Sequence, residues 1–401
     1  MATDKNGKAL PKGITMRSDG RYMGRFTYAG ERYTLYDEDN PKRLKKAMED
    51  MRYELEHGIY GDGDKMTLNK WFKIWIDEYK ENKVKATTLA GYKSRYELYA
   101  KKKLGKMKLK DIKTIHIQKM YNEMLEKGMT VGSVKNLNIV LSNMFRFALH
   151  SDYILKNPCV GIDWPKESKE EVRVLSPEEQ QRFLKAANGN RFETLYIVAF
   201  STGLRVGELT GLTWDDIDFV NENLNVNKTL VYIYDEQEKR YVFRYQTPKT
   251  KGSTRCIPLI PETVKALKKY KLLQNARKID LGDKWKPLEG FNNLVFTTGF
   301  GTPMQETFVR KRIHCLINKI NKDEEKEAEK QERTSRKFEL FSPHAMRHTF
   351  ATRAFESGIE PQVVQYIMGH NSLTMTSRYT HIMEEKRKSE IQKIQESIKI
   401  S

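Results

Sequence analysis

Four successive segments between residues 66 and 148 carry apolar residues three or four positions apart. This spacing places the apolar side chains on one face of a helix, so the segments predict four short helices packed as an all-α unit. Thr67 is placed to cap the first helix, and Gly128 suits the end of the third. We interpret the aromatic side chains as core residues, although such side chains can also stack on bases. The stripes are formed by Leu68, Trp71, Phe72, Trp75, Ile76 and Tyr79, then Tyr92, Tyr96 and Tyr99, then Ile117, Met120, Tyr121, Met124 and Leu125, and finally Val134, Leu137, Leu141, Met144, Phe145 and Ala148.

The connection between the second and third predicted helices is dense in lysine. It reads KKKLGKMKLKDIK over residues 101–113 and predicts an exposed loop. The whole chain has 72 lysines and arginines against 53 acidic residues, a net charge of +19, and residues 66–171 hold much of the excess. Such a charge predicts a polyanionic partner, with nucleic acid ahead of an anionic membrane surface. The candidate phosphate-binding lysines are Lys101, Lys102, Lys103, Lys106 and Lys108.

Length and composition narrow the class of protein further. A chain of 401 residues exceeds one ordinary core and predicts about two or three domains. No apolar run approaches the roughly 20 residues that span a bilayer, and the N-terminus lacks the apolar region of a signal peptide. Cys159, Cys256 and Cys315 lie far apart, which indicates neither a disulfide framework nor a cysteine-based zinc site. We therefore expect a soluble protein of a reducing compartment, with nucleic acid rather than a membrane as its partner.

The N-terminal region has a different pattern. Residues 14–36 alternate aromatic with polar or basic residues around two turn signals, SDG at 18–20 and AGE at 29–31. The alternation predicts a small three-stranded sheet, and residues 41–56 have the spacing of a helix. One face of the sheet would be basic, which makes it either a DNA-contacting surface or a merely solvated one. The basic residues are Arg21, Arg25 and Arg32.

Two linkers divide the chain. The first, HGIYGDGD at 57–64, is rich in glycine and aspartate, and the second, at 157–174, combines two prolines with a charged run. After the second linker, Ser176, Pro177 and Glu179 predict a helix that begins with a capping box.

The remaining pattern predicts mainly helices with a small antiparallel sheet. Charge-dense residues 321–337 lack an apolar stripe and predict either an exposed loop or a solvated helical extension. Ile391, Ile394 and Ile398 have helical spacing in a segment too short to be stable alone, so we expect it to dock on its own domain or on a neighbouring protomer. Helical patterns cover 191–200, 261–275 and 305–320, and strand-like runs cover 224–234, 241–248 and 254–260.

Two segments offer cationic groups for chemistry. In STGLRVGEL, Arg205 lies between two glycines and could bind a phosphate through two parallel hydrogen bonds, or form a salt bridge with Glu208 on a helix. In TPKTKGSTRCIPL, Lys249 and Lys251 lie in a predicted turn between two strands, where a lysine either reaches into a groove or is simply solvated.

A third segment, FSPHAMRHTF, predicts a helix after Pro343. His344, Arg347 and His348 occupy positions i, i+3 and i+4 and would share one face. Two imidazoles and a guanidinium suit an oxyanion better than zinc, because no glutamate follows the first histidine and no third ligand is near. His370 and Tyr379 follow, and a tyrosine after two anion-binding clusters suggests a phenol that attacks a phosphate.

In this order and spacing the motifs resemble those of the tyrosine recombinases, most closely the phage-type and conjugative-transposon integrases. The resemblance rests on TGLRVGELTGL, TPKTKGSTRCIPL, SPHAMRHTFAT, VVQYIMGHNS and TMTSRYTHI. It implies the multidomain tyrosine recombinase fold, with an arm-type DNA-binding domain (1–62), an all-α core-binding domain (66–160) and a mainly α catalytic domain with a small sheet and C-terminal tail (172–401). It also implies Tyr379 as nucleophile, Glu208 as supporting carboxylate and His348 as neighbour. The remaining catalytic residues would be Arg205, Lys249, His344, Arg347 and His370, with Lys251 second to Lys249.

These residues predict DNA strand exchange without metal, ATP or another cofactor. Fixed cations would replace the magnesium that carboxylates hold in other phosphoryl-transfer enzymes. The chain also has no GxxxxGK[ST] motif, the loop that binds nucleotide phosphates. The resemblance implies that the protein integrates and excises a mobile element by acting at core and arm sites on duplex DNA. It also implies that monomers assemble into a tetramer on DNA, assisted by a host DNA-bending protein and an excision factor. The protein would act in the bacterial cytoplasm, at the nucleoid. The alternatives are a non-catalytic DNA-binding regulator, a relaxing type IB topoisomerase and, least favoured, a hydrolytic nuclease.

Overall fold

The computed structural model describes Thr3 and residues 9–56, 65–166, 173–235, 238–247 and 254–369. The chain divides into two compact units, Met1–Ser168 and Lys169–Ser401. Within these described ranges, no helix combines the length and apolar character needed to cross a membrane.

The elements of each unit are as follows. The first unit contains strands β1 (Ile14–Met16), β2 (Tyr22–Tyr28) and β3 (Glu31–Asp37) and helices α1 (Pro41–Glu56), α2 (Leu68–Ile74), α3 (Ala86–Arg95), α4 (Lys101–Leu104), α5 (Thr114–Glu126) and α6 (Val131–His150). The second unit contains strands β4 (Ile217–Asp218), β5 (Asn223–Val226), β6 (Thr229–Asp235), β7 (Arg240–Gln246) and β8 (Arg255–Pro258) and helices α7 (Pro177–Ala187), α8 (Glu193–Thr202), α9 (Val206–Thr210), α10 (Pro261–Leu281), α11 (Glu306–Lys330), α12 (Pro343–Glu356) and α13 (Pro361–Met368).

The predicted N-terminal sheet and its helix are confirmed. Strands β1, β2 and β3 pair antiparallel in that order. The two-residue loop Ala29-Gly30 joins β2 to β3 with φ angles of 45° and 85°, the backbone that matches the twist of a hairpin. Helix α1 lies against the sheet at Gly24, where a Cβ atom would be 2.2 Å from the Met48 sulfur. The absence of a side chain at this position therefore allows the helix to pack closely.

The all-α unit is also confirmed, with its apolar stripes forming one core. Helix α2 continues into a π-helical turn, Trp75–Lys80, and Thr67 caps its start by accepting a hydrogen bond from the Lys70 amide. The Trp71 indole donates a hydrogen bond to the Met144 carbonyl at 3.1 Å, which joins α2 to α6 inside the core.

The lysine-dense segment is only partly a loop, so the prediction for residues 101–113 was wrong at its start. Helix α3 continues through the π-helical turn Tyr96–Ala100 into α4. Tyr96, Ala100 and Leu104 are all buried. Their i, i+4, i+8 spacing extends one apolar stripe past the first three lysines, which explains why the chain stays helical there.

The second unit contains two small sheets where one was predicted. Strands β4, β5 and β8 form a three-stranded antiparallel sheet, and β6 and β7 form a separate hairpin. The apolar run 224–234 is divided at Asn227 and Lys228 between β5 and β6. Strands β7 and β8 belong to different sheets, and the predicted turn that carries Lys249 and Lys251 lies outside the described residues.

Helices α10 and α11 are longer than their apolar patterns predicted. Helix α11 extends through the charged residues to Lys330, which confirms a helical extension over the loop alternative for residues 321–330. Two contacts hold the extension: Ala328 is buried, and Glu324 accepts a hydrogen bond from Arg333 at 2.6 Å. Helix α10 likewise continues to Leu281.

Candidate active site

Helices α8 and α9 meet at a tight corner that places Arg205. Gly203 ends α8 in the left-handed conformation with φ of 61°, which glycine adopts without strain. A Cβ atom on Gly203 would lie only 2.4 Å from the Phe350 ring of α12. The glycine in the TGLR motif thus allows both the turn and the close approach of α12 to the end of α8.

Helix α9 then packs with its backbone against β6. A Cβ atom on Gly207 would lie 2.9 Å from the Leu230 carbonyl oxygen. On Gly211 it would lie 2.8 Å from the Leu230 amide nitrogen. The two glycines of RVGELTGL therefore fix the position of the helix that carries Glu208.

Arg205 makes contacts with two parts of the second unit. Its Nη1 donates to Glu208 at 2.9 Å, and its Nη2 donates to the Gly369 carbonyl at 2.9 Å. The Glu208 carboxylate also accepts the Arg205 backbone N–H at 2.8 Å. The salt bridge considered from the sequence is therefore present. The Arg205 side chain is still 34% exposed, and a guanidinium has five N–H donors, so this pairing leaves it able to bind an anion.

Arg255 is a central residue of the site that sequence reasoning did not identify. Its guanidinium donates to both carboxylate oxygens of Glu208, at 3.1 and 2.9 Å, with both side chains buried. Its Nε donates to the Ile367 carbonyl at 2.6 Å. The sequence could have indicated this role, because Arg255 occupies the first of the inward-facing positions of β8, a strand that alternates buried and accessible residues.

The Glu208 carboxylate is ionised despite its burial. Burial alone would raise its pKa, but the hydrogen bonds and charge of Arg255, with the charge of Arg205, lower the pKa below its ordinary value. Glu208 thus fixes two arginines from different elements, β8 and the turn before α9.

Arg347 is buried and bonds to backbone on both sides. Its Nη1 donates to the Gly203 carbonyl at 2.6 Å, and its Nη2 donates to the Met368 carbonyl. Consequently, three arginines bind three consecutive carbonyls at the end of α13, those of residues 367, 368 and 369. Helix C-termini leave carbonyls unpaired and carry partial negative charge, which explains why cations gather there.

The two histidines of α12 lie beside this arginine cluster. Their ring centroids are 5.6 Å apart, with His344 exposed and His348 partly buried. The prediction that Arg347 shares their face needs correction, because its side chain turns inward to the backbone carbonyls. Desolvation by surrounding protein atoms and then the charge of Arg347 lower the pKa of His344, with a smaller effect of Arg205 and an opposing one of Glu306. His344 is therefore favoured in its neutral form, able to accept a proton.

Other predicted site residues lie outside the described part of the chain. These are Lys249, Lys251, His370 and Tyr379. Gly369, the last described residue, directly precedes His370. Thr254, the first described residue after the gap at 248–253, directly precedes Arg255. The three arginines thus hold backbone directly adjacent to one of these segments, and Arg255 follows the other.

The predicted DNA-contacting residues of the first unit all lie at its surface. Arg25 and Arg32 are exposed on the sheet face that does not contact α1, whereas Arg21 bonds to Asp19 at 2.9 Å. The five lysines of residues 101–108 are exposed as well; Lys101 and Lys103 form ion pairs with Glu97 and Glu123.

The described arrangement suits an anionic ligand. Arg205 and Arg347 offer N–H donors and positive charge, and neutral His344 offers an imidazole beside them. The single buried carboxylate among these groups, Glu208, is already paired. Among the described residues, no three His, Cys, Asp or Glu side chains converge as a metal site would require. Planar guanidinium donors can bind phosphate oxygens through two parallel hydrogen bonds, so the site suits a phosphodiester.

Comparison with known proteins assigns the family. Residues 173–386 match the phage integrase family, and residues 67–125 match the phage integrase N-terminal SAM-like domain. The tyrosine recombinase XerC-like protein of Caldanaerobacter subterraneus is 31% identical over 363 residues, 88% of each chain. The transposase of transposon Tn916 from Enterococcus faecalis is 27% identical over 94% of this chain and 92% of its own.

Solved structures agree with this assignment. The Tn1549 transposon integrase in complex with a circular intermediate DNA superposes with a TM-score of 0.65 at 27% identity, covering 78% of this chain and 94% of that one. A lambda integrase tetramer bound to a Holliday junction shares the fold at 21% identity and a TM-score of 0.52, over 93% and 95% of the two chains. The chain belongs to the phage integrase family and is a site-specific tyrosine recombinase of the conjugative-transposon integrase type.

Proposed function

We propose that this recombinase cuts and rejoins DNA through a covalent bond between Tyr379 and a 3′-phosphate. One observation carries the proposal: Arg205, Arg347 and Arg255 all bind the backbone that leads into His370, nine residues before Tyr379. The arginine cluster is thereby tied to the segment that supplies the nucleophile. A tyrosine without these cations would have no means of offsetting the charge of a phosphodiester.

The cleavage step assigns one role to each group. The Tyr379 phenol oxygen attacks the phosphorus, and its proton passes to neutral His344. Arg205 and Arg347, with His370, stabilise the charge that develops on the non-bridging oxygens, each preorganised donor contributing about 3 kcal/mol. The 5′ oxygen leaves with a proton from Lys249, or from Lys251 as the second candidate. Glu208 and His348 support this arrangement.

Strand exchange follows by reversal of the same step. A 5′ hydroxyl of a second DNA attacks the phosphotyrosine, the new phosphodiester forms, and the phenol regains its proton. One ester bond forms as another breaks, so the reaction needs no ATP. Because side chains supply the positive charge beside the phosphate, the reaction also needs no metal ion.

The partners in this proposal are two classes of site on duplex DNA. Residues 172–401 would act at the core site together with the lysines of residues 66–160, and residues 1–62 would bind a separate arm site through Arg21, Arg25 and Arg32. The lambda integrase tetramer on a Holliday junction supports a tetramer on DNA as the active state. A host DNA-bending protein and an excision factor would set direction, and the reaction would take place at the bacterial nucleoid in the cytoplasm.

A nicked duplex that carries an end of the element tests the proposal. Loss of the short fragment beyond the nick traps the covalent intermediate, which gel electrophoresis under denaturing conditions detects. We expect the wild-type chain to form the adduct in EDTA without nucleotide, and Tyr379→Phe to form none. The control Tyr241→Phe, which removes the hydroxyl of an exposed tyrosine on the β6–β7 hairpin, should form a normal amount. Undiminished adduct with Tyr379→Phe, or a requirement for magnesium or ATP, contradicts the proposal. Relaxation of plasmids that lack any specific site would indicate the topoisomerase alternative instead.

A further inference from the structure

A cavity of about 300 Å³ lies at the other end of α8 from Arg205. It is lined by residues before and at the start of α8, by one face of α10 and by Trp285. Helix α8 has 10 residues and is therefore roughly 15 Å long, so this α8–α10 cavity is separate from the arginine cluster. The volume is at the lower end of the ~300–1,000 Å³ range of small-molecule sites.

Arg191 and Arg277 both line this cavity, and their guanidinium groups approach each other beside Gly299. The position of a Cβ atom on Gly299 would lie 3.0 Å from Nη1 of Arg191 and 3.4 Å from Nη2 of Arg277. Backbone carbonyls hold both groups in place: Arg191 donates to those of Thr297 and Thr298, and Arg277 donates to that of Gly299 at 3.0 Å.

The positive charge of this pair is not neutralised by its protein neighbours. Over the described residues, neither Arg191 nor Arg277 has a carboxylate oxygen within salt-bridge distance. Lys269 also lines the cavity, and its one acidic residue, Glu193, accepts a hydrogen bond from the Gly189 amide. Burial is the main cause that lowers the pKa of Arg191; Tyr270 opposes it, and the charge of Arg277 has a smaller lowering effect. A bound anion would relieve this repulsion.

The rest of the cavity wall is apolar and partly aromatic. Leu273 and the buried Tyr270 contribute from α10, and Trp285 contributes from the following loop. Trp285 packs against backbone at Gly301, where a Cβ atom would lie 2.6 Å from the indole ring. The indole is thus fixed in position, and a ligand ring can lie against it without ordering a mobile side chain.

We propose that the α8–α10 cavity binds a small organic phosphate that carries a planar ring, in the chemical class of the nucleoside monophosphates. The phosphate group lies between Arg191 and Arg277 with Lys269 adding charge, and the ring lies against Leu273 and Trp285. This site is independent of the strand-exchange chemistry, because none of its residues belongs to the arginine cluster.

Isothermal titration calorimetry of the full chain with AMP tests the proposal, with adenosine and inorganic phosphate as matched fragments. We expect saturable binding of one AMP per chain, with each fragment binding at least roughly tenfold more weakly. Arg277→Gln, which removes an exposed guanidinium, should weaken AMP binding by about tenfold or more. Gly299→Ala should weaken it as well, because the added methyl group would crowd the Arg191 guanidinium at 3.0 Å. The control Arg240→Gln removes an exposed charge from the β6–β7 hairpin and should leave AMP binding unchanged.

Four results would overturn the proposal. The first is the absence of saturable AMP binding to the folded wild-type chain at millimolar concentration. The second is equal AMP affinity in the wild type, Arg277→Gln and Gly299→Ala. The third is phosphate binding as tight as AMP binding, because the apolar wall would then have no role. A loss of DNA affinity in Arg277→Gln without any AMP binding would identify the arginines as DNA contacts and also refute the site.

Discussion

Substitution of Arg255 by methionine tests whether the buried ion pair organises the arginine cluster. Arg255 and Glu208 are 0% and 5% exposed, and the arginine makes two hydrogen bonds to the carboxylate and one to the Ile367 carbonyl. Methionine fills much of the same space without charge or donors. The change therefore leaves a buried carboxylate and a buried carbonyl without their main partner.

The magnitude follows from the burial of both groups. Removing one partner of a buried ion pair costs about 3–5 kcal/mol. Because Arg205 still donates to Glu208 at 2.9 Å, we expect the lower end of this range, about 3 kcal/mol. A domain has about 5–15 kcal/mol of stability in total, so the variant should unfold at clearly lower denaturant concentration. Arg255→Lys keeps the charge without the two parallel donors and should be intermediate.

Urea unfolding and covalent adduct formation on the nicked duplex separate stability from positioning. The exposed Arg240, paired with Glu238, provides the control Arg240→Met, which should cost less than about 1 kcal/mol. In the double variant Glu208→Met with Arg255→Met, stability should recover relative to Arg255→Met because no buried charge is left unpaired. Its adduct formation should stay low, since Arg205 has lost its carboxylate. Wild-type stability together with wild-type adduct formation in Arg255→Met would show that the ion pair does not organise the arginine cluster.

Three further changes have defined outcomes. Gly203→Ala should destabilise the second unit by about 2–4 kcal/mol in urea unfolding, because it combines a left-handed φ with a contact to Phe350; a loss below 1 kcal/mol would contradict this. The lowered pKa of His344 keeps the imidazole neutral to lower pH than usual, so the rate of adduct formation should fall only below pH 6.5 as His344 becomes protonated, and a midpoint above 6.5 would exclude it as the base. Replacing Lys102 and Lys106, both exposed, with glutamine should reduce the slope of log K against log salt for DNA binding by about 1–2; an unchanged slope would show that they do not contact phosphate.

Local signals predicted the N-terminal sheet and many helix boundaries well. The AG turn at 29–30, the Ser176 capping box and Pro343 at the start of α12 each act through their own backbone and near neighbours. Such features depend on residues only a few positions apart, so the sequence alone is sufficient to identify them.

Features that depend on distant contacts were missed. Asn227 and Lys228 divide an apparently continuous strand because β5 pairs with β8 and β6 with β7. The role of Arg255 depends on Glu208 and Ile367, 47 and 112 positions away. The inward turn of Arg347 depends on the carbonyls of Gly203 and Met368. The sequence around each residue does not indicate which distant residue is its partner. The motifs were nevertheless enough to indicate the family.

The central claim is that the phenol of Tyr379 becomes bonded to a DNA phosphorus. Trapping the wild-type chain on the nicked duplex, digesting the DNA and the protein, and sequencing the nucleotide-bearing peptide by mass spectrometry measures this directly. We expect one modified peptide, with a phosphate-linked nucleotide on Tyr379. A nucleotide on any other residue, or cleaved DNA without a nucleotide-bearing peptide, would contradict it.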